Sequence, residues 1–137
     1  RIQTIYLLIS VLFLTLASCN DSIRFLNAET GDACCYSVMD YPITMTIQII
    51  ILLITFCSIF LFKNRVRQMR VVGFDTILIL LNIAACAMHV ATDNLEGYKF
   101  TVTWATFLPI ISVVMNLLAI RAIGVDEARV RSLNRLR

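Results

Sequence analysis

Two sets of residues in this chain have the types and spacing to do chemistry. The first is a set of polar side chains inside apolar stretches. Asn82, Cys86 and His89 fall within about 60° of one helical face, and Asp75 and Asp93 extend that face at either end. Gln48 and Thr55, with Thr44 and Ser58, form a comparable stripe, and Ser112 and Asn116 stand four apart just beyond Pro109. Polar side chains avoid lipid, so such faces point into a bundle. The chemistry they suggest is a path for a solute or a proton. The competing role is hydrogen bonding between helices, worth under about 1 kcal/mol per contact yet enough to fix register. Position favours packing. Asp75 stands one turn from Arg70, at what reads as headgroup level, and His89 one turn from a loop. Asn82, Cys86 and Asn116 hold the centre, and none is a charged group of the kind a proton relay needs.

The second set is the cysteines. Cys57 and Cys86 lie in apolar segments and read as small fillers. Cys34 and Cys35 are adjacent in a polar loop that lies where disulfides are permitted. Adjacent residues seldom form a relaxed bridge, and the Cys-x-x-Cys spacing of redox pairs is absent. One bridge to Cys19 or to another chain, or free thiols, is the plain reading; an extracytoplasmic thiol device is the sharper one. Enzyme motifs are missing: there is no HExxH, no Gly-x-Ser-x-Gly and no phosphate-binding glycine loop. A single histidine excludes haem held by two, and Glu29, Asp32 and Asp40 have no histidine to work with. We expect a non-enzyme without metal or cofactor.

The elements that position these groups follow from charge. The chain has 137 residues, 59% of them hydrophobic, with mean hydropathy +0.83. Charges leave four free windows, 2–20, 41–62, 76–92 and 100–120, of 19, 22, 17 and 21 residues. A hydrocarbon core about 30 Å thick needs roughly 20 helical residues. The third window reaches 22 residues, 71–92, when Asp75 is placed at the headgroups. Runs such as Ile49-Ile50-Ile51-Leu52-Leu53-Ile54 do not alternate as barrel strands would. The fold class expected is all-α, an integral membrane antiparallel four-helix bundle forming one domain. Its spans are 2–20, 41–62, 71–92 and 100–121, and its tail is 122–137.

Orientation comes from sign. Arg1, segment 63–70 and segment 121–137 carry ten of twelve Lys/Arg against Asp75, Asp126 and Glu127, a balance of +7, whereas segments 21–40 and 93–99 balance at −4. The positive-inside rule puts both termini in the cytoplasm of a bacterial inner membrane. Lys63, Arg65, Arg67 and Arg70, with Arg129, Arg131, Arg135 and Arg137, then face anionic headgroups or a membrane partner rather than nucleic acid. Tyr41, Tyr98, Phe100 and Trp104 mark the outer boundary, and Tyr6, Phe62 and Phe74 the inner one.

Leu16-Ala17-Ser18-Cys19 has the form of a bacterial lipobox, at whose cysteine cleavage and acylation would occur. Tyr6, Ser10, Phe13 and Ala17 share a helical face, however, as a retained and packed helix requires. Pro42 suits the first turn of the second helix, residues 63–70 a tight hairpin, and Asn94-Leu95-Glu96-Gly97 a turn. Ile23, Phe25 and Leu26 are expected to lie back on the bundle. After Gly124 a short amphipathic cytoplasmic helix is expected, with Asp126 and Glu127 at its positive start and Val130, Leu133 and Leu136 along one side.

The chain also resembles a known family. Arg1-Ile2-Gln3-Thr4-Ile5-Tyr6-Leu7-Leu8, Tyr41-Pro42, Phe62-Lys63-Asn64-Arg65 with Gln68, Leu108-Pro109, Ala119-Ile120-Arg121-Ala122-Ile123 and the stretch from Asp126-Glu127 to Arg137 are similar to small four-span membrane proteins of Bacteroidota. That family is domain of unknown function 4293. Asn134, Gly124-Val125 and Cys34-Cys35 depart from its pattern. The resemblance implies an inner-membrane protein with an uncleaved first helix, and it carries no activity or functional residues. Function is expected to be that of an accessory or scaffold subunit, binding a partner or forming a homo-oligomer through its inner face. The alternative is a small oligomeric transporter or channel using the polar stripes.

Overall fold

The computed structural model describes residues 2–27, 31, 33–92 and 98–135. Helix α1 is Ile2–Cys19, α2 Pro42–Phe60, α3 Arg65–Thr92 and α4 Leu108–Arg135. All four are long and apolar enough to cross a membrane, the character of a multi-pass membrane protein. α1 packs on α2 and α4, and α3 packs on the same two, so the helices form a ring. Exposed Leu8, Leu53, Ile77 and Leu117 cover its outside.

One spacing rule builds the interior. Buried residues recur at alternating steps of four and three: Gln3, Leu7, Ser10, Leu14 and Ala17 on α1; Thr44, Gln48, Ile51, Thr55 and Ser58 on α2; Gln68, Val72, Asp75, Ile79 and Asn82 on α3. This seven-residue rhythm keeps one seam of each helix facing its neighbours along its whole length. α4 follows it through Leu108, Ser112, Asn116, Ala119 and Ile123, with two consecutive steps of four. Nine of the fifteen seam residues on α1–α3 are polar, whereas the lipid-facing surface is apolar.

Pro42 opens α2 as expected. The hairpin between α2 and α3 is tighter than residues 63–70 implied. A 3-10 turn, Leu61–Lys63, leads through Asn64 directly into α3, so Arg65, Arg67 and Arg70 are helical. The buried Gln68 amide closes it, donating to the Ser58 carbonyl at 3.0 Å. α3 has 28 residues, about 42 Å at 1.5 Å each, and therefore exceeds a 30 Å core by two to three turns. No separate helix begins after Gly124. α4 runs unbroken to Arg135, because a glycine inside a helix costs only about 1 kcal/mol against alanine. Asp126 and Glu127 therefore do not sit at a helix start.

Three short strands, not anticipated in an all-α chain, complete the fold: β1 Ile23–Asn27, β2 Ala33–Tyr36 and β3 Tyr98–Val102. They form one antiparallel sheet in the order β2-β1-β3, with Phe25 opposite Cys34 and Phe100. Between β1 and β2, Gly31 adopts φ 73°, a left-handed conformation that glycine accepts without strain. Ser22 anchors the sheet to the bundle: its N–H donates to the Tyr36 carbonyl, and its own carbonyl accepts from the Thr103 N–H and the Thr106 hydroxyl. Of the three residues expected to lie on the bundle, Phe25 is buried, Ile23 half-buried and Leu26 exposed, as strand alternation dictates. The turn read at residues 94–97, Asp93, and the side chains of Tyr98 and Phe100 lie outside the described residues.

Candidate functional site: the polar interior and the basic end

The interior is organised in layers. In the first, on the sheet side, Gln48 projects from α2 and its Nε2 donates to the Leu14 carbonyl at 3.2 Å and to Ser18 Oγ at 3.0 Å, both on α1. Its Oε1 accepts from Asn82 Nδ2 of α3 at 2.8 Å. One side chain thus ties three helices. The next layer is apolar, made of Leu14, Ile51 and Ile79, all essentially inaccessible.

Beyond it lies the second polar layer. Asp75 Oδ2 accepts from Thr55 Oγ1 of α2 at 2.7 Å and from Asn116 Nδ2 of α4 at 3.0 Å. Thr55 Oγ1 is also 2.8 Å from the Ile51 carbonyl, so its single proton has two acceptors in reach. Asp75, read at headgroup level, is 0% exposed within the bundle. Position 75 falls on the α3 seam, whereas Arg70 points outward, although the two are only about 7.5 Å apart along the axis. The interior therefore does hold an ionisable group. Among the described residues no cation pairs with it, and its Oδ1 has no protein partner; nor do Asn82 Oδ1 and Asn116 Oδ1.

Ser112 closes the ring on the remaining side, donating from α4 to the Ser10 carbonyl of α1 at 3.1 Å. Of the residues read as one polar face, Gln48, Thr55, Asp75, Asn82, Ser112 and Asn116 do meet in the interior. His89 does not. It stacks on Tyr41 at 4.3 Å between ring centroids, and Tyr41 in turn on Tyr36, at the sheet end. Cys86 lines a cavity of about 120 Å³ beneath the sheet, together with Ile23, Val38, Gln48, Asn82 and Thr106.

Sequence reading missed Gln3 and Gln68 as interior groups. The seven-residue rhythm would have found them, since Gln3 precedes Ser10 by seven and Gln68 precedes Asp75 by seven. The face read as Tyr6, Ser10, Phe13 and Ala17 is rotated slightly: Leu7 and Leu14 hold the seam, and Tyr6 and Phe13 border it.

The cysteines do not come together. Cys19, Cys34 and Cys35, the bridge candidates, are free thiols in this structure. Cys34 and Cys35 are successive strand residues, which direct their side chains to opposite faces of the sheet. Although Cys35 is exposed, partial desolvation, followed by the hydrogen bond and the charge of Asp21, raises its pKa above the ordinary thiol value. A thiol so placed carries less thiolate and is a poorer nucleophile.

At the opposite end, the start of α3 and the extension of α4 lie side by side. Arg65 Nη1 of α3 donates to the Asp126 carbonyl of α4 at 3.0 Å. Lys63, Arg65, Arg67 and Arg70 line an open groove of about 590 Å³, closed on the α4 side by Glu127 and Val130. Arg131 pairs with Glu127 at 3.0 Å, and Arg129 is exposed. Arg137 and the side chain of Arg135 lie outside the described residues.

Residues 1–136 match the family described as Domain of unknown function (DUF4293). The chain belongs to that family. None of the curated proteins searched gives a match. Membership spans both the polar interior and the basic end, and it attaches a chemistry to neither.

Proposed function

We propose that this DUF4293 protein is a non-enzymatic accessory or scaffold subunit of a bacterial inner membrane. It is an antiparallel four-helix bundle with both termini in the cytoplasm, and it presents the groove between α3 and α4 to an anionic segment of a membrane-complex partner. Excess cation at the hairpin and tail supports the orientation. The carrying observation is the hydrogen bond from Arg65 to the Asp126 carbonyl. It fixes the helical extension of α4 beside the hairpin and so gathers four cations around one groove, with Val130 as its apolar side. A bundle that only had to stay in the membrane needs charge at this end, not an ordered helix carried past the apolar core. The interior supports the same reading, because Gln48, Thr55, Asp75, Asn82 and Asn116 clamp helices to one another on either side of an apolar partition. Recovery of the full chain in mild detergent, with and without Arg67→Glu and Arg70→Glu, tests it. A partner lost from the double variant is expected; a clean monomer that binds nothing, unaffected by removal of 125–137, overturns it.

One observation favours the transport reading: the cavity beneath the sheet reaches Gln48 and Asn82, and carbonyl oxygens of Asn82 and Asn116 and one carboxyl oxygen of Asp75 lack protein partners. Proton or solute flux in vesicles carrying the purified protein, abolished by Asp75→Asn, is what that reading requires.

A further inference from the structure

A second hollow at the basic end lies on the other flank of α4, against α1, and the partner groove does not include it. It measures about 600 Å³ and is lined by Gln3 and Tyr6 of α1 and by Arg121, Asp126 and Arg129 of α4. Gln3 is only 2% exposed, yet neither its Oε1 nor its Nε2 has a protein partner. A buried primary amide with both ends unmet is destabilising unless something enters to meet them. The guanidinium groups of Arg121 and Arg129, like the carboxylate of Asp126, form no ion pair or hydrogen bond among the described residues, although main-chain carbonyls of Asp126 and Arg129 accept from Arg65 and Ser132. The α1 N-terminus also points its positive end here. Leu118 and Val125 continue the lining as exposed apolar residues.

We propose that this hollow is a headgroup site for a membrane phospholipid whose phosphodiester carries a primary amine. The inference rests on the bilayer-spanning part of the function proposed above, not on its partner groove. Planar guanidinium groups at positions 121 and 129 match the oxygens of a phosphate bidentately. The Gln3 amide donates to a phosphate or glycerol oxygen and accepts from the amine. A headgroup with phosphate alone leaves the Asp126 carboxylate facing like charge; an ammonium two carbons from the phosphate answers it. Leu118 and Val125 lie where the acyl chains of such a lipid leave the headgroup, which is why a lipid rather than a soluble phosphate is the occupant.

The test is native mass spectrometry of the delipidated full chain, titrated with phosphatidylethanolamine, phosphatidylglycerol and phosphatidylcholine of identical acyl chains, and with soluble glycerophosphoethanolamine. Phosphatidylethanolamine should bind about tenfold tighter than either other lipid, the difference of a single charged hydrogen-bonding group. Arg121→Ala with Arg129→Ala should remove that binding. Asp126→Asn should erase the preference over phosphatidylglycerol while leaving phosphate-dependent binding. Gln3→Leu, which keeps size and removes both unmet groups, should leave the fold intact and weaken phosphatidylethanolamine severalfold. Equal binding of all three lipids, or variants that change nothing, overturns the proposal; so does competition by glycerophosphoethanolamine as strong as that of the lipid. Arg67→Glu with Arg70→Glu should leave the lipid preference untouched, so a partner retained by that variant sinks the scaffold reading and not this one.

Discussion

The two polar layers of the interior look alike in size but differ in what they join and in what they carry. The layer on the sheet side is neutral: Gln48 gathers α1, α2 and α3 through Leu14, Ser18 and Asn82. The layer nearer the basic end is built on a carboxyl: Asp75 gathers α2, α3 and α4 through Thr55 and Asn116. They share α2 and α3 and each adds a different third helix, and the Ser112 hydroxyl, donating to the Ser10 carbonyl, joins α4 to α1 and closes the ring. Lipid gives helices no hydrophobic reason to associate, which makes such clamps and close packing the source of register. The difference in charge matters more than the difference in geometry. An amide left without a partner is a modest loss, whereas a carboxyl is tolerated in that setting only while its neighbours hold it.

The largest effect should come from the partition between the layers. Leu14→Ala removes most of a fully buried side chain next to Ile51 and Ile79. Leucine-to-alanine changes in packed interiors cost about 2–5 kcal/mol, and this one also opens the two polar layers to each other. Unfolding in mixed micelles should show that loss. An opened partition should admit water-soluble thiol reagents to Cys86, which lines the cavity on the sheet side. Unchanged stability would mean that the layers are not separated as described.

Next in size is removal of each hub. Asp75→Ala strands Asn116, leaves Thr55 only the Ile51 carbonyl and opens a void, a loss of about 2–3 kcal/mol by the same unfolding assay. Gln48→Leu keeps the volume and removes three hydrogen bonds, at roughly 0.6 kcal/mol each when measured in membranes, so about 1–2 kcal/mol. If the neutral hub proves the costlier of the two, the contrast drawn between the layers is wrong.

How much of this was legible in the sequence depended on the kind of signal. The four long helices were readable because lipid demands apolar length, and charge punctuates it at Lys63, Arg70, Asp93 and Lys99. Gln48, Thr55, Asn82, Ser112 and Asn116 were readable as inward because polar residues in apolar runs have nowhere else to go. Asp75 was read as extending the inward face, but its full burial was not, because its distance from Arg70 gives no side-chain direction. What decides its environment is the direction of its side chain, and the seam 68-72-75-79-82 sets that. The third strand was missed although Tyr98-Lys99-Phe100-Thr101-Val102 alternates and is rich in strand formers, because Phe100-Thr101-Val102 were absorbed into the apolar window 100–120 and Tyr98-Lys99 into the segment before it. The hollow against α1 was not legible at all: it is made where Gln3 meets Arg121, residues 118 positions apart.

The smallest expected effect is the most discriminating. Asp75→Asn retains size and one carbonyl oxygen able to accept from Thr55 and Asn116, and it abolishes only the capacity to ionise. If the carboxyl serves as a clamp, stability should change by less than about 1 kcal/mol, since both interhelical contacts persist. Growth and partner recovery should then be as for the unaltered protein. If the carboxyl instead passes protons, the same substitution should stop flux and function entirely while the fold stays intact. Asp75→Ala cannot make this distinction, because it damages packing under either role. A silent Asp75→Asn beside a destabilised Asp75→Ala makes the second layer a clamp like the first, with a carboxyl doing the work that Gln48 does with an amide. A dead but folded Asp75→Asn makes the two layers different in kind, and moves the function of this bundle from its basic end to its centre.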